Sequence, residues 1–273
     1  MLTPTQVDHY RTFGFVVLPG LLAPERVDRL HVEVDTALRD AYAATYHERV
    51  IDGISGHYLP MASRHTPVSA SLVCDDPTLI DAAEQLVGGP VIPECPEGVL
   101  YFAEAGWHND DGIGVTGIKF ATYFDSLHAD NGALRFLPGS HIPEQTARLT
   151  AYRSRQAPND NGAWGYPGNV AITQPGDVLA FDLHTWHASF GGHDRLAWTI
   201  IYTSVPHTQD ERDRTLRSMT DSYEQSFRGF DRDRYPIWHD WLNDPSTQSR
   251  RTVIIERMRA AGILDLPAAQ HGW

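Results

Sequence analysis

The chain has 273 residues, of which 41% are hydrophobic and 10% aromatic, enough apolar side chains to build a substantial core. Its 35 acidic and 22 basic residues give a formal net charge of -13 at pH 7. This charge repels a phosphate backbone and argues against a reader of nucleic acid, which needs clustered Lys and Arg. A small organic molecule is therefore the expected partner.

The cysteine content and the N-terminus indicate the compartment. Only Cys74 and Cys95 occur, in a chain too long to need a disulfide scaffold, which is typical of a reducing environment. Residues 1–6 lack the basic and apolar regions of a signal peptide, and no segment approaches the roughly 18 apolar residues of a membrane span. We therefore expect a soluble cytoplasmic protein without a membrane partner.

The first 90 residues predict a mostly helical scaffold around one short strand. Thr5 can cap a helix that Gly14 ends, and residues 15–18 are apolar and short enough for a buried strand. Apolar residues at helical spacing then predict two longer helices, over about residues 23–38 and 77–86. These helices are expected to pack on the outside of a sheet.

From about residue 91 to 206 the sequence changes to short strands separated by turn residues. Between two of them, residues 130–132 (Asp-Asn-Gly) predict a hairpin turn. Many short strands with Gly and Pro turns indicate a sandwich or barrel rather than alternating β-α units. The predicted strands cover residues 99–102, 118–124, 133–137, 178–181 and 196–202.

Two segments complete the expected organisation of residues 1–273 as a single domain. Residues 148–176 lie inside the strand-rich core, are rich in Asn, Gly and Pro and carry aromatic residues, which predicts a lid or binding loop, or else a surface insertion. Residues 207–273 predict a helical tail. No repeat or charge block separates a second module.

Two His-x-Asp pairs are candidate metal ligands, because residues i and i+2 of a strand point to the same side. This spacing is expected about once by chance in a chain of this composition. His128 and Asp130 come just before an Asn-Gly turn, where Asp and Asn favour local backbone hydrogen bonds. His108 and Asp110 follow an apolar strand and are the favoured pair.

A third ligand should come from a later strand. His184 and His187 are three residues apart and would face opposite sides of a regular strand, so only one can point inward. Beyond them, the planar guanidinium of Arg195 suits bidentate binding of a carboxylate inside a barrel. The residues alone leave open whether Arg195 is instead a surface arginine beside Asp194.

Several motifs in a fixed order carry a resemblance to a known family. The chain is similar to the phytanoyl-CoA dioxygenase (PhyH) family over roughly residues 5–205. The matching segments are GFVVLPGLL at 14–22, WHND at 107–110, NGAL at 131–134, LPGSH at 137–141, GDV at 176–178, and His187 ten residues after Asp177.

The resemblance implies a mainly β fold with flanking helices, a double-stranded β-helix or cupin-like jelly roll. It implies that His108, Asp110 and His187 hold Fe(II), and it selects His187 over the other histidine of that segment. It also implies 2-oxoglutarate and O2 as co-substrates, with Arg195 as the anchor of the distal 2-oxoglutarate carboxylate and Ser189 beside it.

The implied function is oxidation, most simply hydroxylation, of an unactivated C–H bond of a small metabolite, as in secondary metabolism. An iron-dependent halogenase is one alternative, but relatives of that type replace the carboxylate ligand with Gly or Ala, and Asp110 is present. A non-catalytic jelly-roll binding protein is another alternative. A CoA ester is not expected as the substrate, because the arginine groups that could bind its phosphates are better interpreted as solvated faces.

Overall fold

The computed structural model describes residues 1–48, 56–110, 114–155, 166, 168–226, 229–236 and 249–266. Within them the chain forms two antiparallel sheets, confirming the mainly β prediction. The strands are β1 Phe15–Leu18, β2 Gly56–Pro60, β3 Val91–Pro93, β4 Glu97–Tyr101, β5 Ala105–His108, β6 Gly117–Tyr123, β7 Leu134–Phe136, β8 Asn169–Val170, β9 Val178–Asp182, β10 His187–Ser189 and β11 Arg195–Ser204.

The larger sheet has the order β1-β9-β6-β11-β4-β2, with β3 also paired to β11, and the smaller has the order β5-β10-β7-β8. Aromatic residues fill the space between the sheets. Phe136 of the smaller sheet stacks on Phe15 with ring centroids 4.5 Å apart, and lies 5.2 Å from Phe181, both in the larger sheet. The result is a sandwich with one interior.

Helices flank the sandwich, and most of them cover the outer face of the larger sheet. They are α1 Pro4–Phe13, α2 Pro24–Ala41, α3 Pro67–Cys74, α4 Pro77–Val87, α5 Pro143–Arg153, α6 Gln209–Ser226 and α7 Ser249–Ala261, followed by a 3-10 turn at Ile263–Asp265. The exception is α5, whose Leu149 packs against the cluster of Trp107 and Trp186 beside the smaller sheet. Alternation along β11 sends Leu196, Trp198, Ile200 and Tyr202 into the core beneath the helices. The Trp198 indole N–H donates to Ser69 Oγ of α3 at 2.7 Å, which fixes that helix against the sheet. The alternate residues of β11, Arg195, Ala197 and Thr199, face the interior of the sandwich.

The N-terminal helix ends where the sequence predicts, at Gly14, which adopts the left-handed conformation with φ 83°. A Cβ there would lie 2.4 Å from Thr185 Oγ1, so only glycine fits. The N-terminal cap, in contrast, is Thr3 and not Thr5. Thr3 and Gln6 form a reciprocal capping box, which Pro4 at the first helical position extends.

Two further predictions need correction. The turn at residues 130–132 is not a hairpin, because β6 pairs with β9 and β11 whereas β7 pairs with β10 and β8, so the turn crosses between sheets. The segment 148–176 is not one continuous loop, because it begins in α5 and contains β8. Residues 156–165 of this segment lie outside the described part of the chain, as do residues 237–248 and 267–273 of the predicted helical tail. Among the described residues, no helix is both long and apolar enough to cross a membrane.

Glu33 of α2 caps a neighbouring helix. Its carboxylate accepts the backbone N–H groups of Val68 (2.7 Å) and Ser69 (2.8 Å) in the first turn of α3, which has no cap from its own Thr66. Glu33→Ala should therefore lower the free energy of unfolding by about 1–2 kcal/mol, the usual cost of losing an N-cap. Urea denaturation measures this. Asp28→Ala, an exposed change on the same helix, is the matched control, and an equal loss in both variants would contradict the capping role.

Candidate metal centre

The structure brings together the three residues that the sequence analysis selected as ligands. His108, the last residue of β5, is directly opposite His187, the first residue of β10. Asp110 follows two residues later, and its backbone N–H donates to Leu183 O at 2.9 Å. Nε2 of each histidine lies 3.6 Å from Asp110 Oδ1, and the three ligand atoms all lie within 4.8 Å of one another. The three side chains thus converge on one point.

Hydrogen bonds fix the tautomer of both histidines. Nδ1 of His108 lies 2.7 Å from Gly106 O, and Nδ1 of His187 lies 2.9 Å from Thr185 O. A carbonyl oxygen can only accept, so each Nδ1 carries the proton and each Nε2 presents its lone pair to the centre. Burial lowers the pKa of His187 to about 4, so its imidazole is neutral at pH 7, the form that binds a metal ion.

Lys119 of β6 forms an ion pair with Asp110, the third candidate ligand. Its Nζ lies 3.1 Å from Asp110 Oδ2, and the two side chains are only 18% and 15% exposed. Burial by itself would raise the pKa of Asp110, but the ammonium of Lys119 lowers that pKa well below its usual value. Asp110 is therefore a carboxylate with Oδ2 held and Oδ1 turned toward the histidines.

The competing histidines lie elsewhere. His184 is in the turn after β9, where its Nδ1 is 2.9 Å from Asp182 Oδ1. The chain between His184 and His187 is not a regular strand, so the argument from alternating faces does not apply there, although His187 is indeed the inward residue. His128 is exposed in the turn before β7, where its backbone N–H donates to Asn131 Oδ1, in agreement with its interpretation as a turn residue.

Arg195 is buried, 5% exposed, at the start of β11. Its Nη1 donates to Gly132 O at 3.0 Å and to Ser189 Oγ, and its Nη2 donates to Ala103 O at 2.8 Å. The guanidinium also lies over the ring of Tyr101, 5.1 Å from its centroid. The structure thus excludes a surface arginine and places a fixed cation inside the sandwich.

Two charged residues of the interior were missed by the sequence analysis. Lys119 of β6 and Glu97 of β4 both face the interior from the two strands that flank β11, and Lys119 interrupts an apolar strand. A signal for Lys119 was present, because it is the only lysine in the 273 residues, all other basic side chains being arginines or histidines. A charged residue at an inward position of an apolar strand is rarely retained without a partner or a role.

These features define a class of protein. Two histidines and one carboxylate on one edge of a β-sandwich leave further coordination positions open, which is the arrangement of non-haem iron oxygenases. The chain belongs to the family whose profile is described as Phytanoyl-CoA dioxygenase (PhyH), which matches residues 10–195. The fold is therefore the predicted double-stranded β-helix, and the protein is a non-haem iron dioxygenase that uses 2-oxoglutarate.

Individual relatives agree with this assignment. L-proline trans-4-hydroxylase of Streptomyces griseoviridis is 36% identical over 93 residues, which are 29% of this chain and only 35% of that enzyme. Ectoine dioxygenase of Bordetella bronchiseptica is 27% identical over 244 residues, covering 76% of this chain and 77% of that enzyme. The crystal structure of HygX from Streptomyces hygroscopicus with nickel and 2-oxoglutarate bound has a TM-score of 0.60 at 18% identity, covering 77% of this chain and 90% of HygX.

The buried pair of Lys119 and Asp110 leads to a prediction for the metal-free protein. Lys119→Met leaves the Asp110 carboxylate without its counter-charge, which should lower the free energy of unfolding by about 3 kcal/mol, the low end for a broken buried ion pair since both groups keep some exposure. Adding Mn²⁺, which replaces the missing positive charge, should restore part of this loss. Urea denaturation with and without Mn²⁺ measures both effects. A variant as stable as the parent without metal would contradict this account of the pair.

Proposed function

We propose that His108, Asp110 and His187 hold Fe(II), that Arg195 binds the distal carboxylate of 2-oxoglutarate, and that residues 1–273 act as one catalytic domain oxidising a C–H bond of a small metabolite. The convergence of two neutral imidazoles and one carboxylate on a single point supports the metal site most directly. Iron with 2-oxoglutarate and O2 supplies the oxidation, in which 2-oxoglutarate is converted to succinate and carbon dioxide.

The unsatisfied donors of Arg195 support its role. Three of its five N–H groups bind Gly132 O, Ser189 Oγ and Ala103 O. Its buried Nε finds no acceptor in the part of the chain that the structure describes, and one N–H of Nη2 is also unassigned. A carboxylate would satisfy the buried Nε and receive a charge-assisted hydrogen bond.

Ser189 supports this anchor rather than forming a second one. Its hydroxyl donates to Gly132 O at 2.9 Å and accepts from Arg195 Nη1, so its proton is already used. A carboxylate can only accept, and it would gain nothing from Ser189 in this orientation. We therefore propose that Ser189 contributes by fixing the guanidinium.

The residues of this chain orient the reactants. Backbone carbonyls hold both imidazoles, and Lys119 holds Asp110 Oδ2, so the ligand atoms are preorganised. His187 is only 5% exposed in its side chain, whereas 40% of the His108 side chain is exposed, so the centre opens on the His108 side. A substrate entering there would place a C–H bond beside the metal.

The substrate proposed is a small molecule of secondary metabolism, in line with relatives whose names refer to proline and ectoine. Asp110 occupies the position that an iron halogenase leaves open, so dioxygenation is favoured over halogenation. The two cysteines are buried and form no disulfide, which supports a location in the reducing cytoplasm.

Anaerobic titration with Fe(II) and 2-oxoglutarate tests the metal site. The parent protein should develop the weak visible charge-transfer band of the iron chelate. His187→Ala should lose the band, because it removes a ligand, whereas His184→Ala should keep it, because His184 faces Asp182 and not the centre. Circular dichroism of both variants controls for folding. A band that survives in folded His187→Ala would disprove this ligand set, and no band in the parent would favour a non-catalytic binding protein.

The anchor is tested by comparing two 2-oxo acids in the same titration. In the parent, 2-oxoglutarate should bind far more tightly than 2-oxovalerate, which lacks the distal carboxylate. Arg195→Met should reduce this preference by about tenfold to a hundredfold, the equivalent of about 1.5–3 kcal/mol for hydrogen bonds to a charged group. Ser189→Ala should reduce it less. An unchanged preference in Arg195→Met would show that another residue binds the carboxylate.

A further inference from the structure

The inner face of the larger sheet carries two charged side chains beside the metal centre. Glu97 of β4 is opposite Thr199 of β11, and Thr199 is opposite Ala121 of β6, two residues from Lys119 on the same face. The positive charge of Lys119 and the negative charge of Asp110 both act on Glu97. Glu97 therefore lies on the same inner face as Lys119, whose ammonium binds Asp110.

Only one of the two carboxylate oxygens of Glu97 accepts a hydrogen bond within the described part of the chain. Its Oε2 accepts a hydrogen bond from Thr199 Oγ1 at 3.1 Å. Within the described part of the chain, Oε1 has no hydrogen-bond donor and no cation forms an ion pair with the carboxylate. Burial raises the pKa of Glu97, and Lys119 only partly offsets this effect. An ionised carboxylate kept in such a place costs stability unless a ligand supplies the missing donor.

Lys119, in contrast, has hydrogen-bond donors without acceptors. One of its three N–H groups binds Asp110 Oδ2, and the other two have no acceptor among the described residues. The interior thus offers one free acceptor on Glu97 and two free donors on Lys119. The two groups carry opposite charges, so a bound molecule with a positive group at one end and a negative group at the other matches them.

Aromatic rings line the same face. Tyr58 of β2 and Tyr101 of β4 make an edge contact with centroids 5.9 Å apart, and Tyr101 also carries Arg195 over its ring. Tyrosine faces attract cations and bury apolar surface at the same time. These rings suit a small ligand that has an ammonium group on a short hydrocarbon chain or ring.

We propose that the substrate is a small zwitterion whose protonated amine donates to Glu97 Oε1 and whose carboxylate accepts from the free N–H groups of Lys119. The inference rests on the proposed function, since the zwitterion is held beside the iron that oxidises it. Glu97 is then a substrate-binding residue that determines specificity.

Four related compounds test both ends of the site. L-Proline has both charges, N-acetyl-L-proline lacks the amine charge, L-prolinamide lacks the carboxylate, and pyrrolidine has the amine alone. L-Leucine with its N-acetyl and amide forms provides an acyclic set. Each is added to the protein loaded with Fe(II) and 2-oxoglutarate, and both the shift of the charge-transfer band and stimulated succinate formation are recorded. The zwitterion of at least one set should give about tenfold or more stimulation over its own derivatives.

Variants of Glu97 provide the second part of the experiment. Glu97→Gln should raise KM for the zwitterion about tenfold or more, change kcat less, and leave 2-oxoglutarate binding unaltered. The variant should be at least as stable as the parent, because the substitution removes a buried charge. Glu97→Asp keeps the charge and should be intermediate. Glu25→Gln, exposed on α2, should match the parent throughout.

The outcomes separate this inference from the proposed function. Absence of the charge-transfer band in the parent contradicts the proposed function itself. If the band forms, then stimulation by neither zwitterion, equal stimulation by the derivatives, or an unchanged KM in Glu97→Gln overturns the zwitterion site. A Glu97→Gln protein that is clearly less stable than the parent shows a structural role instead.

Discussion

The register between β5 and β10 is the constraint on which the site depends. Antiparallel pairing sets His108 opposite His187, and the same pairing shifts between His187 and Ser189, where the ladder is irregular. Because side chains alternate across a strand, a slip of one residue would turn either imidazole out of the sandwich. β10 also pairs with β7, whose Phe136 lies opposite His187 and packs against the aromatic layer of the larger sheet. The core thus fixes the positions of the two imidazoles.

A second constraint is electrostatic. The interior of the sandwich holds two carboxylates, Asp110 and Glu97, and two cations, Lys119 and Arg195, all mostly shielded from water. Such charges persist only when each has a partner. Lys119 is paired with Asp110, and Arg195 with backbone carbonyls. Among the described residues, however, one carboxylate oxygen of Glu97 lacks a donor and the Arg195 Nε–H lacks an acceptor. The unused groups mark the places where bound molecules would complete the hydrogen bonding.

The sequence predicted the scaffold, and the three side chains that converge in the structure, far better than the interior charges. His108, Asp110 and His187 were identified because ordered motifs surround them, and the strands and helices because their apolar residues are periodic. Lys119 and Glu97 were missed because a one-residue exception to an apolar pattern does not reveal which way the side chain faces. Only the sheet register places both on the inner face. The sequence also could not show that β6 and β7 belong to different sheets, because an Asp-Asn-Gly turn can occur in either arrangement.

The turn that was predicted as a hairpin has a different physical role. Gly132 has φ 97°, and a Cβ there would lie 2.5 Å from Arg195 Cδ. Its carbonyl oxygen accepts hydrogen bonds from both Arg195 and Ser189. The glycine therefore allows the backbone to approach the guanidinium closely enough to hold it. The Asn-Gly pair suggests a hairpin in the sequence, but in the structure its glycine carbonyl binds the Arg195 guanidinium. The chain thus crosses between the two sheets at the point where Arg195 is held.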